Sequence, residues 1–185
     1  ILKLKYLFES TNIIPGRYEI KPSMTYVELM EDIFEGNLQQ FRFTIIEGTV
    51  AKDALRKLRQ IIKNNNLNFQ ISSKTLEIFS KESLILPDTY FFTDRQQLER
   101  LMINQKIRLD NILTRLWKNK PKDNPLKSIN EALILASIVE REAAVEWERA
   151  QISSVFLSRI RDGWRLDADP TLIYGYYGDF SKKIT

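Results

Sequence analysis

The chain of 185 residues contains no cysteine and no histidine. Without cysteine there is no disulfide framework and no thiolate site, and without histidine the commonest general base and the commonest metal ligand are both missing. Catalysis, where present, must rest mainly on carboxylates, hydroxyls, lysine or tyrosine. Long apolar runs are also missing. The longest, around Leu133–Val139, is far short of the roughly 20 residues that span a bilayer. Nor is there a strong excess of either charge, since 28 basic against 24 acidic residues leave +4, spread along the chain apart from a short cluster at Lys118, Lys120 and Lys122. A nucleic-acid partner calls for a concentrated basic face, so no nucleic acid is expected. No internal repeat is evident, and Ile1 opens mid-pattern with neither an initiator Met nor a signal sequence, as in a piece of a longer chain.

What the sequence does have is a 43% hydrophobic share, enough for the core of one good-sized domain or of a small module joined to a larger one. In PGRYEIKPSMTYVELMEDIFEGNLQQFRFTIIEG, residues 15–48, the hydrophobic period changes twice. Arg17–Lys21 alternates as a short strand. Thr25 precedes a helical pattern through Val27, Met30, Ile33 and Phe34 that stops at Gly36, and Phe41, Phe43 and Ile45 alternate as a second strand. The expectation is a strand–helix–strand unit in which residues 17–21 and 41–46 pair.

Ala54, Leu55, Leu58, Ile61 and Ile62 then space as an amphipathic helix ending at Asn64-Asn65-Asn66. Residues 67–86 are helical in parts. LPDTYFF, residues 86–92, predicts a turn into an extended segment, and a further helix covers Arg95–Trp117 before the polar linker KNKPKDNPLKS.

Ser128-Ile-Asn-Glu131 has the S-x-x-E form of a capping box, which opens a helix. At 100° per residue its apolar residues from Ile129 to Val139 fall all round the axis, which predicts a buried helix. Glu140 and Glu142 close it. Glu140 lies over Leu133 and Ala136 and Glu142 over Leu135 and Ile138, so the two point to nearly opposite sides and form no close carboxylate dyad. Each has two readings open to it: a solvated residue where burial has ended, or a proton donor at the floor of an apolar cleft. Periodicity does not choose between them. Farther on, Ile152, Val155, Phe156 and Ile160 make the stripe of another helix, ended by Asp162-Gly163. In WRLDADPTLIYG, Asp169 and Pro170 read as the N-cap and first residue of a short helix.

Taken together, SIVEREA, ER, VF-x-SRI-x-x-G and L-x-x-DPTLIYG resemble the endolytic murein transglycosylases of the YceG-like family. That family's pattern runs approximately SI(I/V)EKET, ER, VF-x-NRL-x-x-GM-x-LQ(S/T)DPT-x-IYG. Order and spacing agree over about forty residues. The likeness extends upstream to LPDTYFF, similar to the family's PDTY motif, and to residues 15–36, similar to its LysM-related glycan-binding unit. The chain departs from the pattern at Ala143, Ser158, Asp167 and Ala168, which remove hydroxyl and amide groups able to bind sugar.

The resemblance implies an α+β fold, with a LysM-like module in residues 1–49 and a mostly helical catalytic region, incomplete at its C-terminal end, in residues 50–185. It implies cleavage of peptidoglycan glycan strands between N-acetylmuramic acid and N-acetylglucosamine, leaving 1,6-anhydromuramyl ends. Glu142 maps onto the catalytic carboxylate, and Glu140, Glu148, Asp169, Thr171, Tyr174, Asp88 and Tyr90 are expected to bind substrate. No metal and no cofactor is implied. The partners implied are the glycan strands and the peptidoglycan synthases. The location is the bacterial inner membrane, held through an N-terminal anchor outside this chain and facing the periplasm. The alternatives are a non-catalytic scaffold that binds peptidoglycan and, more remotely, a helical adaptor with no carbohydrate role.

Overall fold

The computed structural model describes residues 13–82 and 85–180. Among them the chain forms seven helices and one antiparallel two-stranded sheet, an α+β and mostly helical architecture as expected. Helix α1, Tyr26–Glu35, begins where Thr25 accepts from the Glu28 N–H at 3.3 Å and Glu28 accepts in return from the Thr25 N–H at 2.7 Å. It ends at Gly36, whose φ of 73° places it in the left-handed region that glycine enters without penalty.

Strand β1, Phe41–Ile45, turns Phe41, Phe43 and Ile45 inward. Its partner is β2, Asp88–Phe92, with Phe43 opposite Tyr90 and Phe41 opposite Phe92. The expected pairing of residues 17–21 with 41–46 is therefore corrected. Residues 17–21 form no strand, and the Arg17 carbonyl accepts from the Gln39 N–H at 2.7 Å, ahead of β1 rather than along it. The physical reason is that alternation stabilises a strand only when one face is buried. Ile20, which would supply that face, is 70% exposed. The LysM-like unit expected there thus lacks its first strand.

Helix α2, Ala51–Asn64, lays Ala54 and Leu58 on the sheet, and α3, Ser73–Ile78, adds Ile78. Helix α4, Arg95–Lys118, is capped by Asp94, which accepts from the Gln97 N–H at 2.9 Å, and brings in Leu98 and Met102. Phe43, Leu58, Phe92, Leu98 and Met102 are almost wholly removed from water, each worth about 1.5–3 kcal/mol of burial. This first core straddles residue 50, since β1 packs with α2, β2 and α4.

A second, smaller core gathers Leu135, Val139, Phe156 and Ala168. Helix α5, Ile129–Glu142, starts where Ser128 accepts from the Glu131 N–H at 3.2 Å. The return half of the expected capping box goes one residue farther back, because Glu131 accepts from Lys127 N–H at 2.7 Å. The expectation that α5 is buried all round is also corrected, since Leu135 and Val139 are its buried residues and Ile134 is 53% exposed. Helix α6, Glu148–Arg161, packs back on α5 through Phe156, while Val155 of its expected stripe is exposed. Helix α7, Asp169–Tyr177, follows Asp167, a non-glycine residue with a φ of 48°. No helix among the described residues is long and apolar enough to cross a membrane.

Candidate active site

Helices α5 and α6 form a hairpin whose tip is the loop of residues 143–147. Glu142 ends α5 at one side of this loop, and Glu148 opens α6 at the other. Glu148 holds the loop in place. Its Oε2 accepts from the Ala144 N–H at 3.0 Å and the Val145 N–H at 3.4 Å, two backbone donors of the loop between the helices. An acidic residue in a first helical turn also meets the positive end of the helix dipole. Glu148 thus serves the shape of the tip, and its motif partner Arg149 serves the helix pair.

The two glutamates of α5 have different surroundings. Glu140 is half-buried and faces the guanidinium of Arg149, with Nε 2.9 Å from Oε2 and Nη2 donating to Oε1 at 3.1 Å. The neighbouring acids Glu146 and Glu47 add to the field that holds Arg149 charged, after the Glu140 hydrogen bond itself. Glu142 is exposed and has no hydrogen-bond or ion-pair partner among the described residues. The sequence had left open a carboxylate at the floor of an apolar cleft, and Glu142 is not in that position.

A cavity of ≈ 630 Å³ does lie behind the hairpin, between the two cores. Its walls include Ile45, Val50, Ile78 and Phe79 from the first core side, Leu133 and Ile138 from α5, and Thr171 and Tyr174 from α7. Glu140 and Arg141 stand at its wall and Glu142 does not. Polar contacts bridge the two sides. Arg141 donates through Nη2 to the Gly48 carbonyl at 2.5 Å and stacks 3.8 Å over the ring of Phe180. Tyr174 donates to Glu82 at 3.2 Å, and Glu82 in turn accepts from the Ala51 N–H at 2.7 Å, at the start of α2. Desolvation, followed by the charge of Glu82, pushes the Tyr174 phenol up from its ordinary value.

The remaining sequence candidates take other places. Thr171 lines the cavity, and its hydroxyl is spent on the Ala168 carbonyl at 2.6 Å. Asp169 is exposed and is not the N-cap expected of it. Ala168 holds that position in extended conformation, Asp169 is already helical, and no side chain caps α7. The left-handed turn at Asp167 and the burial of Ala168 start the helix one residue early. Tyr90, expected to line a cleft, is instead buried in the first core. Its ring lies 6.3 Å from that of Phe43 and its hydroxyl donates to the Leu86 carbonyl. Alternation along β2 turns Tyr90 inward with Phe92, and Asp88 is left exposed at the strand's start, bonded to the Thr89 N–H at 2.7 Å. The structure therefore gathers Glu140, Thr171 and Tyr174 at the cavity, Glu142 and Glu148 at the hairpin tip, and leaves Asp88, Tyr90 and Asp169 at neither.

Arg141, Glu82 and Arg149 were not among the residues singled out in the sequence. Arg149 stood inside the ER motif and was legible there, whereas nothing local marks Glu82 as a partner for a tyrosine 92 positions later.

The model of the YceG-like family matches residues 2–185. The chain belongs to the YceG-like family. A relative from Bacillus subtilis (strain 168), an endolytic murein transglycosylase, is 25% identical and aligns with 86% of this chain and 50% of its own length. The chain thus spans about half the length of that curated relative. The crystal structure of a YceG-like protein from Listeria monocytogenes matches with a TM-score of 0.56 at 22% identity, covering 100% of this chain and 67% of that one. At that identity the likeness speaks for the family fold.

Proposed function

We propose that this chain carries the acid–base residue of an endolytic lytic transglycosylase acting within peptidoglycan strands, and that Glu142 is that residue. The observation that carries the choice is the contrast along α5. Glu140 has both carboxylate oxygens turned to Arg149, whereas Glu142 is free at the exposed tip. A general acid must bring a proton within hydrogen-bond reach of the leaving oxygen, and a carboxyl already engaged by a guanidinium has no oxygen to spare.

Ordinary glycosidases use two carboxyls, one as acid and one as base or nucleophile. Here the 6-hydroxyl of the muramyl residue takes the second role. Glu142 gives its proton to the glycosidic oxygen as the C1–O bond breaks. The 6-oxygen bonds to C1, and its proton returns to Glu142. The carboxyl ends as it began, and no water is consumed. In this proposal Glu140 and Arg149 fix the end of α5, Glu148 fixes the loop, and Thr171 and Tyr174 shape the wall behind. Asp88 and Asp169, both exposed, are kept as outer substrate contacts. The cell wall as the place of action, a membrane anchor outside this chain, and synthase partners belong to the same proposal, supported by the family membership.

The test is incubation of the protein with purified sacculi, followed by analysis of the released sugar ends. Anhydromuramyl ends from the parent and none from Glu142→Gln are expected. Binding to sacculi without new ends from the parent would favour the non-catalytic scaffold, and anhydro ends undiminished in Glu142→Gln would overturn the mechanism.

A further inference from the structure

Trp147 is the last residue of the hairpin loop, five positions beyond Glu142, and is 67% exposed. An indole carries a large apolar area, and leaving it in water costs stability that packing would recover. The loop that presents it is held. Glu148 Oε2 accepts from the backbone at Ala144 and Val145, Glu148 N–H donates to the Val145 carbonyl at 3.2 Å, and Arg149 N–H donates to the Glu146 carbonyl at 3.2 Å. Trp147 itself sits in helical backbone as the N-cap of α6. The indole is thus displayed on a pinned turn, at the same end of the hairpin as the unpartnered carboxyl of Glu142.

We infer that Trp147 is a stacking platform for a pyranose ring of the glycan strand, in the subsite adjoining Glu142. One face of a pyranose is a patch of C–H bonds, slightly positive, and it matches the electron-rich face of an indole in shape and sign. The proposal rests on the function proposed above and adds to it the residue that seats the sugar. A platform at the tip also answers a difficulty of the cavity: Glu142 lies outside it, so a glycan served by Glu142 runs over the hairpin tip, where the exposed indole offers it a flat apolar surface. Trp164, 72% exposed at the far end of α6, is separated from Glu142 by the whole of that helix and serves as the internal control.

The experiment uses three forms of the protein in which only one tryptophan remains, the other two being replaced by Phe. The probe is a set of glycan strands freed of stem peptides. The form retaining Trp147 is expected to show a saturable change of emission, while those retaining Trp117 or Trp164 stay constant. Trp147→Ala in the otherwise unaltered protein is expected to weaken strand binding about tenfold and raise KM with kcat little changed, and Trp147→Phe to restore most of both. Strand binding with silent Trp147 emission, or a response from Trp164 in its place, overturns the platform and leaves the proposed function standing. Failure of strands and sacculi alike to bind the parent protein overturns both.

Discussion

Arg149 on α6 meets Glu140 on α5 with Nε 2.9 Å from Oε2 and Nη2 3.1 Å from Oε1, joining the two arms of the hairpin just behind the turn that carries Glu142. The pair is energetically coupled if this contact is what holds the arms in register. Arg149→Ala and Glu140→Gln should each lower the melting temperature, and the double variant should lose less than the two losses added. Strict additivity in that cycle would show that the ion pair contributes nothing to the hairpin.

The same contact orders the two glutamates in catalysis. Glu142→Gln keeps size and a polar end but cannot release or take back a proton, so the rate of anhydro-end formation should fall by about 10²–10⁴. Glu140→Gln should fall by less, because it loosens the end of α5 without removing the proton carrier. End-group analysis on the two variants side by side tests the order, and a dead Glu140→Gln beside an active Glu142→Gln would reverse the assignment.

Tyr90 gives the fold a dependence on alkaline pH. Burial, then the nearby charge of Asp88, pushes its phenol from 10.0 up to about 12. The folded state therefore favours the neutral form, and its contribution is fully present below pH about 10 and lost as pH rises from about 10 to about 12. Tyr90→Phe has no such group to ionise. It should start lower by about 1 kcal/mol, the worth of the hydroxyl's bond to the Leu86 carbonyl, and then fall less steeply with pH. Urea unfolding of both proteins from pH 9 to 12 measures this, and parallel curves would contradict it.

Gly48 has a φ of 70°, and a Cβ built there would stand 3.2 Å from Nε of Arg141. Gly48→Ala combines left-handed strain of roughly 1–2 kcal/mol with pressure on the side chain that bridges the two cores. Chemical denaturation should show a loss of that size. It should be smaller in an Arg141→Ala background, where the crowding is relieved and the backbone strain remains.

Two residues at helix starts should rank differently from what their types suggest. Ser128 accepts a backbone hydrogen bond and Asp169 does not. Ser128→Ala should cost about 1 kcal/mol, and Asp169→Ala only the smaller share due to the helix dipole, roughly 0.3–1 kcal/mol. Thermal melts of the two variants check the order, and a larger loss at Asp169 would restore the cap denied to it here.

The sequence by itself determined the helices and the family. Periodicity at 3.6 residues located α1 and α2, and Thr25 and Gly36 marked the two ends of α1 and Ser128 the start of α5, because caps and amphipathic faces are properties of neighbours in the chain. The motif series from SIVEREA to DPTLIYG placed the chain beside the YceG-like family because its spacing is itself sequence. Tertiary structure alone decided which strand pairs with β1, since Phe43 and Tyr90 are 47 positions apart and alternation names a buried face without naming the partner. It also decided that Glu140 is engaged and Glu142 is free. Both lie at the end of one helix in the same run of residues, and only the arrival of α6, with Arg149 on the side of Glu140, makes them different. The start of α7 was decided in the same way: Asp169 and Pro170 have the composition of a cap and a first residue, but burial of Ala168 in the second core set the helix one residue earlier.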